Sequence, residues 1–343
     1  MARNVTLKDI AQRVGVSYQT VSKVLHGQMQ VSNEVQQRIF TAAKEMGYRP
    51  NAAARHLRTQ SSFMLGYSWQ PNRHYYFNPV LEEFQQSIVE TAKELGYHIL
   101  LFPHHDGDML LQSYQELVFT GRVDGFILSG METEDRRVPI LQQLDVPLVA
   151  FGRTKNKISF PYVDVDGQAG VYQAVQHVLK KGHSQIAILA WPEASRVGTE
   201  RLSGYFQAME ENQLTIDPAW VVRGQGEYEY GYTAACRLLD LPKSRRPSAI
   251  ISMTDLIAIG AVNAAQDHGL LIGKELAVTG FDDVPVFQYF KPSLTTLHQP
   301  VWEVGRSTVQ LLVDLLQGRP VEKQQILLAP ELIVRESTEG ATY

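Results

Sequence analysis

The chain turns on three stretches: Thr6-Leu-Lys-Asp-Ile-Ala11, Val14-Gly-Val-Ser-Tyr-Gln-Thr-Val-Ser-Lys-Val24 and Pro50-Asn-Ala-Ala-Ala-Arg-His-Leu57. Thr6 is a good N-cap, and Leu7, Ile10, Ala11 and Val14 recur at helical spacing, so a helix is expected over 6–13. Gly15-Val16 reads as a tight turn, because glycine adopts a left-handed backbone without a steric penalty. Ser17 caps a second helix with Val21, Val24 and Leu25 on one side and Tyr18, Gln19, Ser22 and Lys23 on the other. Ser32 caps a third, running through Val35, Ile39, Phe40, Ala43 and Met46 to Gly47. Two helices joined by a short glycine-containing turn form a helix-turn-helix, whose second helix enters the DNA major groove. Gln grips adenine with two hydrogen bonds and Lys reaches guanine.

Charge agrees with this reading. Residues 1–60 carry nine Lys/Arg and three acidic residues, a net +6, while the whole chain is −4, so the remainder is −10. A basic tip on an acidic body confines the attraction for phosphate to the tip.

These motifs resemble the DNA-binding head of the lac repressor/galactose repressor family, and the resemblance continues along the chain. It rests on Val5-Thr-Leu-Lys-Asp-Ile-Ala11, Gly15-Val-Ser-Tyr-Gln-Thr-Val-Ser22 and Gly47-Tyr-Arg-Pro-Asn-Ala-Ala-Ala-Arg-His-Leu57. It implies that Tyr18 and Gln19 read bases. Lys23 stands where the lac repressor has Arg, a point charge in place of a rigid fork. Residues 50–62 become a hinge helix and linker that order when two subunits meet on DNA, with Leu57 wedged into the minor groove. The DNA contacts expected are Thr6, Ser17, Tyr18, Gln19, Ser22, Lys23, Asn51, Ala54, Arg55, Leu57 and Arg58. The partner implied is a pseudo-palindromic double-stranded operator bound by a homodimer.

Beyond residue 62, short Val/Ile/Leu runs alternate with amphipathic helices. Strands are expected at 63–67, 98–102, 125–129 and 147–151, then in a second series at 162–165, 186–189, 221–223, 249–252 and 275–281. Unbroken apolar strands alternating with helices specify parallel sheets covered on both faces. The expected fold class is an all-α helix-turn-helix head with an α/β body of two doubly wound parallel-sheet lobes. By resemblance the body has the periplasmic-binding-protein fold. The expected divisions are 1–49 for the head, 50–62 for the hinge and 63–340 for the body. Within the body, one lobe takes about 63–161 and 292–322, the other about 162–291 and 323–340.

Ligands of doubly wound sheets bind at the carboxyl ends of strands. By resemblance, Arg201 bonds ligand hydroxyls and Asp282 accepts hydroxyl protons opposite it. Tyr75, Phe77, Phe102, Trp191 and Tyr228, together with Phe281, are candidate platforms for a sugar face. Thr254 stands where many relatives have Asn. Gly152 stands where many carry an acid, and Arg153 either compensates for it or bonds the inter-lobe hinge.

At 343 residues with 44% hydrophobic content, the chain suits two or three domains with ample cores. Its single cysteine, Cys236, excludes an internal disulfide and a cysteine-based metal site. Neither a signal peptide nor a transmembrane helix is expected, and a cytoplasmic location follows. The last residues carry no sustained heptad run, so a tetramerising coiled coil is not expected. His104-His105-Asp106 has no third metal partner fixed by spacing, Asp282-Asp283 by resemblance follow a strand as in relatives that use no metal, and no cofactor or metal is expected. Phosphate-cradling loops, nucleophile elbows and catalytic acid/base pairs are missing from the sequence, so an enzyme is not expected. The reading is a transcriptional regulator, expected to be a repressor, controlled by a small ligand such as a sugar or glycoside. The alternatives are a purine- or nucleoside-responsive regulator of the same family and a carbohydrate-binding protein without regulatory role.

Overall fold

The computed structural model describes residues 5–25, 29, 31–48, 61–69, 78–104, 107–154 and 158–339. It divides into two compact units, 1–61 and 62–343.

In the first unit, α1 (Leu7–Val14), α2 (Tyr18–Leu25) and α3 (Asn33–Glu45) form a helical trio. Thr6 closes a capping box with Asp9, and Gly15 ends α1 in the left-handed conformation at φ 73°. Capping of this kind is worth about 1 kcal/mol. Ser17 caps α2 by accepting from the Thr20 backbone N–H at 3.0 Å. Ile10, Ala11, Val14, Val21, Val24, Ile39, Ala42 and Ala43 form the core. Burial of each large aliphatic among them contributes about 1.5–3 kcal/mol. Arg38 donates to the Val14 carbonyl at 2.7 Å, satisfying one of the orphan acceptors at the end of α1. Phe40, next to Ile39 on α3, is 47% exposed. One helical step from Ile39 swings it about 100° off the face that meets α1 and α2.

The second unit holds two parallel sheets. The larger has the strand order β11-β5-β4-β3-β1-β2. These strands are β1 (Met64–Trp69), β2 (His98–Pro103), β3 (Gly125–Leu128), β4 (Leu148–Phe151), β5 (Tyr162–Val165) and β11 (Gln325–Leu328). Helices α4 (Pro79–Glu94) and α11 (Val301–Leu316) supply one of its cores; α5 (Asp108–Phe119) and α6 (Arg137–Gln143) supply the other. The smaller sheet has the order β7-β6-β8-β9. It comprises β6 (Ile186–Ala190), β7 (Val221–Arg223), β8 (Ala249–Ser252) and β9 (Ala277–Thr279). Its faces are covered by α7 (Gly167–Lys180) with α8 (Arg196–Glu211), and by α9 (Tyr228–Leu239) with α10 (Asp255–Asp267). An antiparallel pair, β10 (Thr296–His298) with β12 (Glu331–Ile333), and the short α12 (Glu336–Glu339) complete the second lobe.

The lobe boundaries differ from the sequence reading. β5 was grouped with the second series, yet it pairs with β4 and β11 in the first sheet. β11 also joins the first sheet, although 323–340 was assigned to the second lobe. β10 joins the second lobe, although 292–322 was assigned to the first: Thr295 bridges Thr279 and His298 bridges Asp282. The chain therefore crosses at 166, at 299–300 and at 329–330, each a few residues beyond the expected point. Apolar runs announce strands, but only hydrogen-bond partners say which sheet a strand joins.

Candidate functional site

On the head, α2 turns Val21 and Val24 inward and leaves Tyr18, Gln19 and Lys23 exposed, Tyr18 by 49%. Ser22 is half-buried. Thr6 and Ser17 already use their hydroxyls for capping: Thr6 donates to Asp9 Oδ2 at 2.7 Å, and Ser17 pairs with Thr20 Oγ1 at 2.8 Å. Both sit at helix N-termini, where the unpaired N–H groups and the helix dipole favour an anion such as phosphate. Asn51, Ala54, Arg55, Leu57 and Arg58 lie outside the described residues.

In the body, a cavity of about 820 Å³ opens where the two sheets present their strand ends. The first lobe lends the cavity Met131 after β3, Gly152 after β4 and Asp164 in β5; the second lends Trp191 after β6, Thr254 after β8 and Asp282 after β9. Of the residues singled out from the sequence, Trp191, Arg201, Tyr228, Thr254 and Asp282 line this cavity. Phe102 does not: it is buried in the first lobe, edge-on to Tyr114 at 5.1 Å and Phe126 at 6.0 Å. Its place on β2 at the edge of the sheet keeps it away from the inter-lobe face. Tyr75 and Phe77 lie outside the described residues.

Arg201 sits in the second turn of α8 and is only 5% exposed. Its guanidinium lies 3.6 Å from the Phe281 ring centre and 5.1 Å from that of Trp191, and it donates to the Met253 carbonyl. Burial pulls its pKa below the ordinary value, and the charges of Asp282, Asp164 and Glu200 oppose that. Gly167 leaves it room, since a Cβ there would fall 2.9 Å from Arg201 Cγ. Asp282 faces the same space at φ 125°, followed by Asp283 at φ 57°. Consecutive non-glycine residues with positive φ are costly and persist only where the surroundings hold them. Gln299 donates to Asp282 Oδ1 at 2.7 Å. Burial raises the Asp282 carboxyl above the usual range, Arg201 works against the rise and Asp255 adds to it.

Thr254 spends its oxygen as the N-cap of α10, accepting from Ile257 N–H at 3.2 Å. Tyr228 accepts from Asn263 at 2.8 Å and stacks on Tyr232. Arg153 is absent from the cavity wall: it pairs with Asp164 at 2.8 Å and with Glu200. Of its two anticipated roles, the geometry gives it the inter-lobe one. Sequence reasoning missed Asp164, Arg196, Glu200 and Gln299, all of which border the cavity. Asp164 and Glu200 were read only as part of a strand and a helix, Arg196 and Gln299 were given no role, and no spacing rule would have brought the four together.

Among the described residues, Trp191 Nε1, Arg196 Nε and Arg201 Nε are buried and make no hydrogen bond. Buried donors without acceptors are rare and call for an explanation. Their residues line a cavity of ligand size, with these atoms turned into the wall.

A groove-reading helix on one unit and a ligand-sized cleft on the other define a ligand-responsive DNA-binding protein. Residues 6–51 match the model of the bacterial regulatory proteins of the lacI family, and 175–338 match the periplasmic binding protein-like domain. The chain is 32% identical to the HTH-type transcriptional repressor CytR of Escherichia coli K12, covering 98% of this chain and 96% of that one. It is 30% identical to the repressor PurR of Proteus mirabilis HI4320, covering 98% of each. Among solved structures, a LacI-family regulatory protein from Chloroflexus aggregans shares 45% identity at TM-score 0.77, over 81% of this chain and 99% of that one. The regulator CelR in complex with cellobiose shares 28% at 0.72, over 97% and 100%. The lac repressor dimer on its operator with an anti-inducer shares 26% at 0.80, over 98% and 99%. The chain belongs to the LacI family of bacterial regulatory proteins and is a DNA-binding transcriptional regulator, not an enzyme. Among the described residues no helix is long and apolar enough to cross a membrane.

Proposed function

We propose that this chain is a repressor whose operator affinity is set by a neutral, polyhydroxylated effector, a sugar or glycoside, bound in the inter-lobe cleft. The observation that carries this reading is the Arg201 guanidinium and the Asp282 carboxyl set on the wall of one cavity. Hydroxyls both accept and donate, so a polyol answers the guanidinium and the carboxyl together. Trp191 and Tyr228 add flat apolar faces on which a sugar ring can rest. Among the described residues the wall carries Arg196 and Arg201 against Asp164, Glu200, Glu229 and Asp282, so it offers no surplus of cation to a phosphorylated ligand. The cellobiose complex of CelR, a relative over nearly the whole chain, supports the same class.

Tyr18, Gln19 and Lys23 read bases, and Thr6, Ser17 and Ser22 serve the phosphates. Asn51, Ala54, Arg55, Leu57 and Arg58 form the hinge contacts, with Leu57 as the wedge. Two chains bind a pseudo-palindromic operator in the cytoplasm, and the effector couples to DNA by roughly 1–3 kcal/mol.

The test is thermal melting of the purified chain against mono- and disaccharides, nucleosides and purines. A ligand at about 100 times its Kd stabilises by roughly 2.7 kcal/mol. A shift with one sugar class, followed by altered operator binding, supports the proposal. A shift with a purine or nucleoside alone transfers the cleft to that class.

A further inference from the structure

Four side chains at the cleft form a closed ring of alternating charge. Arg153 and Asp164 come from the first lobe, after β4 and in β5; Arg196 and Glu200 come from α8 of the second. Asp164 Oδ2 receives Arg153 Nε at 2.8 Å and an Arg196 terminal nitrogen at 3.1 Å. Glu200 receives the other Arg196 nitrogen and, on its second oxygen, Arg153. Two of the four pairs, Arg153–Glu200 and Arg196–Asp164, therefore join one lobe to the other. The ring is sheltered: side-chain exposures are 22% for Arg153, 9% for Asp164, 9% for Arg196 and 19% for Glu200. Burial alone would weaken the charge of Arg153, yet Asp164 and Glu200 outweigh it and raise its pKa. Close by, Thr133 donates across the cleft to the Ala194 carbonyl at 3.0 Å.

We propose that this ring is an electrostatic latch that holds the two lobes together in the ligand-free chain. Each of the four charges has two partners only while the lobes are near, and one once they part. Opening separates two of the four pairs and returns sheltered charges to water, so the cost of opening falls as salt screens the ring. A latch that pre-closes the cleft raises the fraction of binding-competent molecules. The apparent Kd then improves by that fraction without any contact to the ligand. Arg153 is the informative member because it lies off the cavity wall, whereas Asp164, Arg196 and Glu200 border it. The latch goes beyond the effector assignment and is independent of which ligand fills the cleft.

The test reads lobe separation directly and needs neither effector nor DNA. Spin labels are placed at Gln143 on α6 and at Gln225 after β7, both exposed, in a Cys236→Ser full-length chain. Labelled chains are diluted into unlabelled ones, so that only distances within one chain are measured, across a range of NaCl. The parent should show one short distance at low salt. Arg153→Met and Glu200→Gln should each add a second, longer distance, with a share that grows as salt rises. Arg153→Lys, which keeps the charge but not the fork, should keep the short distance at low salt and lose it at high salt. If Arg153→Met does not fold, Glu200→Gln decides. The latch is overturned by variants that keep the parent's single distance at every salt concentration. It is equally overturned by a parent that already samples the longer distance at low salt.

Discussion

The Arg201 guanidinium lies 3.6 Å from the centre of the Phe281 ring, and Asp282, the next residue along the chain, faces the same cavity. The ring supplies a face for the cation, and the carboxyl, its pKa raised by burial, stands nearby. One strand end thus organises both poles of the cleft. Replacing Arg201 with Met should abolish the thermal shift given by the effector while leaving operator binding in place. Loss of the folded state together with DNA binding would make Arg201 a structural residue instead. A desolvated cation over an aromatic ring is worth about 2 kcal/mol, so some loss of stability is also expected.

Gly167 offers a subtler route to the same group. A Cβ there would meet Arg201 Cγ at 2.9 Å and force the side chain to move. Gly167→Ala should weaken effector binding severalfold with little effect on operator affinity. An effector titration by calorimetry that matched the parent would show that Arg201 tolerates the methyl group.

Asp282 predicts a pH dependence. Its folded pKa is raised above the unfolded value of 3.8, so the folded state binds the proton more tightly. Stability from this residue is present below the unfolded pKa and is lost as pH rises through the folded pKa. Asp282→Asn should therefore flatten the fall in unfolding free energy above about pH 4. Parallel denaturation curves for parent and variant from acid to mildly alkaline pH would refute this.

Arg137 is buried in the first lobe, where it pairs with Asp135 at 2.6 Å and donates to the Ser129 carbonyl at 2.9 Å. It fixes the loop that carries Met131 and Thr133 to the cleft. Arg137→Ala strands the Asp135 carboxylate in the interior, and such losses cost about 3–5 kcal/mol. Urea denaturation should show a large drop in midpoint; a change within error would mean that water reaches Asp135.

On DNA, Gln19→Ala should reduce discrimination at one base pair by about 1–3 kcal/mol and weaken other sequences little. Equal binding of every operator variant by parent and Gln19→Ala would remove Gln19 from the reading face.

The head was legible in the sequence because its signals are local. Thr6, Gly15, Ser17 and Ser32 punctuate the helices within a few residues of where the structure starts or ends them. The outward face of α2 follows from helical period alone. Phe40 shows the limit: it follows Ile39 in the same helix, and only the packing of α3 says which of the two is core. In the body, element positions were legible and strand partners were not, which is why β5, β10 and β11 were placed in the wrong lobe.

The sequence by itself determined the kinds of element, their order, the basic reading head, and Arg201 and Asp282 as cleft residues. These depend on periodicity, caps, net charge and the resemblance of specific motifs, all of which are written in neighbouring residues. Only the tertiary structure decided that Phe102 is core, that Arg153 serves the inter-lobe ring, and that Asp164, Arg196, Glu200 and Gln299 stand at the cavity. The ring joins residues as far apart in the chain as Arg153 and Glu200. Such encounters depend on how two sheets face one another across three chain crossings, and no local pattern carries that information.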